Sequence, residues 1–179
     1  LHEQHLVIQN RADWLAEQVT AATELIILRE QETLLHLAKA GEYRDEETGN
    51  HVIRMAKYAR EIAEELGLTN TECDDIEYAA PMHDIGKIGI PDCVLLKPGK
   101  LNAQEWETMQ THTTIGYEIL SNSQSKYMQM GAVIALYHHE RFDGQGYPNG
   151  LKGTGIPLIA RIVTVADIYD ALVSVRPYK

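Results

Sequence analysis

The chain holds eight histidines, and five of them lie beside acids or beside one another in ways that suit metal chemistry. His83 and Asp84 are adjacent in HDIGK (83–87), and His138 and His139 are adjacent in HHERFDGQGYPNG (138–150). Glu47 and His51 are four residues apart, so on a helix they share a face. His112 and Asp167 complete the set. A single histidine beside an apolar stripe is more often a hydrogen-bonded core residue than a ligand. Five of them, accompanied by Glu47, Asp84 and Asp167, are hard to bury without a cation. Each neutral imidazole needs a partner, and each buried carboxylate needs a positive charge. His2, His5 and His36 fall in the N-terminal stretch and read as solvated surface residues.

Successive helical residues point about 100° apart. The adjacent pairs therefore suit a cluster in which each member reaches a different ion, or in which Asp84 bridges two. Nitrogen and oxygen donors without thiolate point to iron, manganese, zinc or a neighbour of these, not to a structural zinc finger. Two such ions ~3.5–4 Å apart can polarise a phosphoryl group, activate water near neutral pH and stabilise a leaving oxygen. Lys87, one turn after His83, could bind a phosphate or protonate a leaving alkoxide. The stretch FDGQGYPNGLKGTGIP contains five glycines, which let backbone approach a ligand closely. Tyr147 could stack on a base there, and Pro148 stiffens the loop. Alone, such a loop is an ordinary turn; directly after two ligands it reads as the lip of a substrate site. Glu140 either orients a ligating histidine or ends the helix.

The elements that must position these groups read as helices. Residues 1–40 lack Gly and Pro, and Leu15, Val19, Ala22, Leu25, Ile26, Leu28 and Leu35 follow helical spacing. This predicts one long helix, ended by Gly41, that could join an upstream domain and pair with its copy in a dimer. A second helix is predicted over 46–66, with Val52, Met55, Ala56, Ala59, Ile62, Ala63 and Leu66 inward. A third starts at TNTE (69–72), a capping box of Thr69 and Glu72, and bends at Pro81. Residues 89–102 read as a loop. Asn102 and Glu105 open a fourth helix carrying Trp106, Met109, His112, Gly116 and Leu120. A fifth covers about 125–139. Pro157 opens the last, with Ile159, Ile162, Val163, Ala166, Tyr169 and Val173 inward. The fold class is all-α.

Composition excludes several classes of function. Acids outnumber bases by 26 to 16, and the imbalance lies in residues 1–80, with 17 acids against 7 bases. An acidic chain with no basic stripe is a poor partner for a nucleic acid polymer. No apolar run approaches the ~18 residues of a membrane span. Cys73 and Cys93 show no metal or disulfide spacing and read as small buried residues of a cytoplasmic protein. The chain starts without Met and reads as a piece of something longer.

Taken together, RDEETGNH (44–51), HDIGKIGIPD (83–92), HTTIG (112–116), HHERFDGQGYP (138–148) and VADIYDAL (165–172) with RPYK at the end resemble, in order and spacing, an HD-GYP domain of the HD metal-dependent phosphohydrolase superfamily. The resemblance implies a helical bundle over 42–179 after a linker helix over 1–41, and a domain cut short at its C-terminus. It implies hydrolysis of cyclic di-GMP to linear pGpG, and onward to GMP, in bacterial signalling. Two or three divalent ions, commonly iron or manganese, would be held by His83, Asp84, His112, His138, His139 and Asp167. Glu47 and His51 match the further ligands of the three-metal type. Lys87 and Asp84 would serve catalysis. Asp143, Gly144, Gly146, Tyr147 and Pro148 match the signature loop, and Arg176 a phosphate-binding arginine. An upstream sensory or receiver domain is expected. Two other readings stay open: hydrolysis of another cyclic dinucleotide such as cyclic GMP–AMP, and an inactive nucleotide- or partner-binding relay.

Overall fold

The computed structural model describes residues 2–44 and 50–174, all helix, turn and loop without a strand among them. Two compact units emerge, Leu1–Thr33 and Leu34–Lys179. The first is the leading part of helix α1 (His2–Glu42). Within it Leu15, Val19 and Ile26 are exposed. The histidines His5 and His36 on α1 are exposed as expected.

The second unit packs α2 (His51–Glu65), α3 (Asn70–Ala79), α6 (His112–Leu120), α7 (Lys126–Tyr137) and α8 (Leu158–Val173) about one apolar core. Met55, Ile76, Met82, Ile134, Ile162 and Val163 fill its centre. The alanines 56, 59 and 63 keep α2 close to its neighbours α3 and α8. Local sequence sets several helix starts. Thr69 accepts from the Glu72 amide while the Glu72 carboxylate accepts from the Thr69 amide, and Asn102 and Glu105 do the same for α5 (Ala103–Gln110). Each such cap stabilises by about 1 kcal/mol. Ser125 caps α7.

Pro81 acts as expected. It has no amide to continue α3, so the chain tightens into a 3-10 turn over Ala80–Met82. A second 3-10 turn, Ile85–Gly89, follows at once. His83 and Asp84 sit between the two, and both turns press against the core.

Several expectations are corrected. The helix read through 102–120 is two, α5 and α6, broken at Thr111. Side chains around the break bond back to carbonyls: Thr111 to Thr108, His112 to Met109, Thr113 to Gln110 and Thr114 to Thr111. These local bonds compete with the helical ladder. The loop at 89–102 contains a short helix, α4 (Asp92–Leu95). It carries Cys93 on the surface; only Cys73 is buried. On α8 the buried stripe is Ala160, Ile162, Val163, Ala166 and Asp170, so Tyr169 and Val173 lie half-exposed rather than inward. Leu66 is exposed too, because α2 ends at Glu65.

Gly86 is the tightest contact in this unit. A Cβ there would lie 1.9 Å from the carbonyl oxygen of His112 and 2.5 Å from the amide nitrogen of Gly116. The bare backbone thus lets the turn after Asp84 lie directly on α6. Gly86→Ala is expected to lower unfolding free energy by about 3 kcal/mol, read by urea denaturation. A loss below the error of that measurement would show that the turn and α6 can separate without cost.

Candidate metal centre

Most of the histidines sit at helix ends. His51 opens α2, His112 opens α6, His138 closes α7 and His83 closes the first 3-10 turn. His139 follows His138, and Asp167 lies within α8. His51, His83, His112 and His138 are at most 4% exposed, and Asp84 is 9% exposed.

Helix ends also settle the tautomers. A backbone carbonyl can only accept, so a ring nitrogen facing one must carry the hydrogen. His83 Nδ1 donates to the Ala80 carbonyl at 3.2 Å, His112 Nδ1 to that of Met109 at 2.7 Å, and His138 Nδ1 to that of Ala135 at 3.0 Å. Each of these rings therefore turns Nε2 toward Asp84. His112 Nε2 and His138 Nε2 stand 3.3 and 3.5 Å from Asp84 Oδ1, and His83 Nε2 stands 3.3 Å from Asp84 Oδ2. His112 Nε2 and His138 Nε2 are 3.5 Å apart. With Nδ1 protonated in both, two lone pairs face each other. His83 Nε2 and Asp84 Oδ1 are fully buried without a hydrogen bond of proper geometry. Burying such groups unmet costs about 1–3 kcal/mol each.

A cation removes all of these conflicts at once. Ligand atoms of Asp84, His112, His138 and His139 lie within 4.8 Å of one another, as do those of His51, His83 and Asp167, and those of Glu42, His83 and Asp84. The donors are nitrogen and oxygen only, and they fit divalent transition metals. His138 and His139 fall in one group with Asp84 and His112, while Asp84 also falls in the group of Glu42 and His83. The two adjacent histidines straddle the end of α7, where the 100° helical spacing no longer applies, and their rings lie 4.0 Å apart. Glu47 and Arg176 lie outside the described residues.

Sequence reasoning missed the groups that hold His51. Its Nδ1 donates to Asp170 Oδ2 at 2.6 Å, which leaves Nε2 facing Asp167 Oδ1 at 3.3 Å. Asp170 in turn receives Arg54 Nε at 2.7 Å and Arg54 Nη2 at 2.9 Å. A carboxylate behind a ligating imidazole fixes its orientation and raises its basicity. The signal was present as spacing: Arg54 is three residues after His51, and Asp170 three after Asp167, so polar residues double up on otherwise apolar stripes. Glu42, buried at the end of α1, also went unremarked.

The signature loop folds back on the cluster. The Tyr147 ring stacks on His139, centroids 4.7 Å apart and planes at 28°. A Cβ at Gly146 would meet the Arg141 amide nitrogen at 2.3 Å, so only glycine allows this return. Glu140 neither orients a histidine nor ends the helix. Its buried carboxylate accepts from the amides of Asn149 and Leu151 at 2.7 and 2.8 Å and so holds the loop. Asp143 accepts from Arg141 and from the Gln145 amide. Gly144 adopts φ +82°, and Pro148 is exposed.

Protein charges alone poise the site for metal. Burial pushes the His139 pKa down to about 2, helped by His138, so its ring stays neutral. Burial would raise Asp167, but the His51 ring beside it and the nearby His83 hold it at about 2. Asp84 is held well below the usual carboxylate range, because Lys87 and His83 outweigh its burial. Burial would lower His83, yet Asp84, then Asp167 and Glu42, raise it to about 9. At pH 7 a proton therefore sits where a cation would bind. Loading manganese(II) at pH 7 should release about one proton per chain from His83, and affinity should climb as pH rises toward 9. Calorimetry in buffers of different ionisation heat reads this; heats independent of buffer would show that His83 gives up no proton to the ion.

Comparison with known proteins agrees with this chemistry. Residues 24–179 match the HD domain family. The chain is 54% identical over its whole length to the cyclic di-GMP phosphodiesterase response regulator RpfG of Xanthomonas campestris, spanning 47% of that protein. It is 55% identical over 83% of its length to a cyclic di-GMP phosphodiesterase of Thermotoga maritima, spanning 40% of that one. It is 49% identical over 87% of its length to the 3'3'-cGAMP-specific phosphodiesterase 2 of Vibrio cholerae, spanning 30%. The chain thus covers less than half of each of these relatives. Among solved structures, a cyclic GMP-AMP specific phosphodiesterase of V. cholerae shares the fold, with a TM-score of 0.60 at 22% identity over 79% of this chain and 40% of that one. With the HD-GYP motifs in place and an all-helical bundle beneath them, the chain belongs to the HD domain family.

Proposed function

We propose that this chain is the catalytic domain of a metal-dependent phosphodiesterase that hydrolyses cyclic di-GMP to pGpG and onward to GMP. The observation that carries the reading is Asp84: one carboxylate oxygen faces His112 and His138, and the other faces His83 and Lys87. Such a carboxylate would suit bridging two divalent cations, iron or manganese by donor type. Bound there, the cations would supply Lewis-acid polarisation of a phosphodiester and lower the pKa of water. A third ion would need Glu47. The relatives at 54% and 55% identity, both named for cyclic di-GMP, favour that substrate.

The residues divide the work. His112, His138 and His139 would hold one cation with Asp84; His51, His83 and Asp167 would hold the other. Lys87 Nζ lies 2.9 Å from Asp84 Oδ2, and its side chain is 14% exposed. From there it would meet a non-bridging phosphate oxygen and pass a proton to the departing ribose oxygen. Because pGpG keeps a 5′-phosphate, the bond that breaks is P–O3′. Water supplies the new P–O bond, and O3′ leaves with a proton. Tyr147 supports His139 rather than offering that face to a base. Asp143, Gly144, Gly146 and Pro148 shape the lip, and Arg176 would meet phosphate.

The long relatives favour an upstream sensory or receiver unit, and α1 would serve as the joining and dimerising helix. No helix among the described residues is long and apolar enough to cross a membrane. A soluble second messenger as substrate favours a cytoplasmic setting. The 3'3'-cGAMP-specific relative supports a second reading, cyclic GMP–AMP as substrate.

Metal-loaded protein offered both dinucleotides separately should release pGpG or GMP from cyclic di-GMP faster, and chelator should stop it. No turnover of either by fully metallated protein would leave only a binding relay. Asp84→Ala should lose metal and activity together; full metal content in that variant would end the bridging role. Lys87→Ala should keep its metal and lose about 10²-fold in kcat, whereas unchanged kcat would return Lys87 to a structural ion pair.

A further inference from the structure

The last turn of α1 brings a buried acid to the cluster. Glu42 is 2% exposed, and its carboxylate lies within 4.8 Å of ligand atoms of both His83 and Asp84. Its place is tightly set. Gly41, the residue before it, is buried against Ile85: a Cβ there would lie 3.1 Å from Ile85 Cδ1, which would have to shift slightly. Beyond it, Arg44 donates to the carbonyls of Ile88 at 2.7 Å and Ile90 at 3.1 Å and pairs with Asp92. The end of α1 is thereby clamped along the segment that follows His83 and Asp84.

The geometry of His83 then decides what Glu42 can do. Its Nδ1 is used by the Ala80 carbonyl, so only Nε2 is open to a ligand, and that atom is buried without a hydrogen bond. One imidazole nitrogen binds one ion. The groups His51–His83–Asp167 and Glu42–His83–Asp84 share His83. In the second, two carboxylates face one imidazole, an oxygen-rich set suited to a hard divalent ion. We infer that Glu42 is a protein ligand of the metal ion on the His83 side, tying its binding to the seating of the last turn of α1. The inference rests on the metal-centre reading and adds to it a carboxylate from a different helix.

Manganese(II) binding to the metal-stripped full chain tests this, by calorimetry and by the rise in melting temperature on adding the ion. Glu42→Gln keeps the side chain's shape and removes its charge, replacing one acceptor oxygen with an NH2 donor. One manganese site should weaken at least about tenfold, and the metal-induced rise in melting temperature should shrink. Wild-type-like isotherms and metal-induced rise in Glu42→Gln would overturn the assignment, including the case where only metal-free stability falls. Should Glu42→Gln fail to fold by circular dichroism, Glu42→Asp decides: it keeps the charge and withdraws the oxygens by one methylene. Weakened manganese binding on an intact fold supports ligation, and wild-type affinity refutes it. Wild-type protein that takes up no manganese, iron or zinc would instead bring down the metal-centre reading itself, a failure distinct from loss confined to the Glu42 variants.

Discussion

A carboxylate taken out of water governs this molecule. Asp84 lies among imidazoles whose Nδ1–H groups point away from it, toward backbone carbonyls. Lys87 and His83 meet one of its oxygens, but His112 and His138 turn lone pairs toward the other. That buried arrangement calls for further positive charge. The fold serves that need: histidines at helix ends converge because their tautomers are set by the carbonyls that each helix end leaves open.

Around this centre a second layer of groups works at a distance. Arg54 holds Asp170, and Asp170 holds His51. Glu140, buried beside the histidine pair, spends its charge on two loop amides instead of on metal. The distinction is physical. Asp170 meets a ring nitrogen, whereas the Glu140 oxygens are already filled by N–H donors. Neighbouring acids of the same type thus take different duties according to what faces them. The loop that Glu140 secures in turn presses Tyr147 on His139, so the lip and the ligands form one packed body.

Local features were readable in advance. Both capping boxes form, because an Asn or Thr three residues before a Glu needs nothing beyond its own turn. Pro81 breaks α3 for an equally local reason. The apolar stripe of α2 is buried from Val52 to Ala63. Features that depend on competition or on a distant neighbour were not readable. The break at Thr111 arises from several weak side-chain bonds acting together, none decisive alone. The outward turn of Tyr169 and Val173 reflects where α8 meets α2, which pairs Asp170 with Arg54 and leaves those apolar residues outside.

Residue types and their order along the chain determined that nitrogen and oxygen donors, a lysine and a glycine-rich loop would gather in an all-helical domain, since ligand chemistry and helix signals are properties of short segments. Tertiary structure decided how they gather. It gathered His112, His138 and His139 beside Asp84, gave Asp84 two faces, brought Asp170, Arg54 and Glu42 up to the cluster, and turned Tyr147 onto His139. Those outcomes depend on distances between residues far apart in the chain, and only the packing of one helix end against another sets such distances.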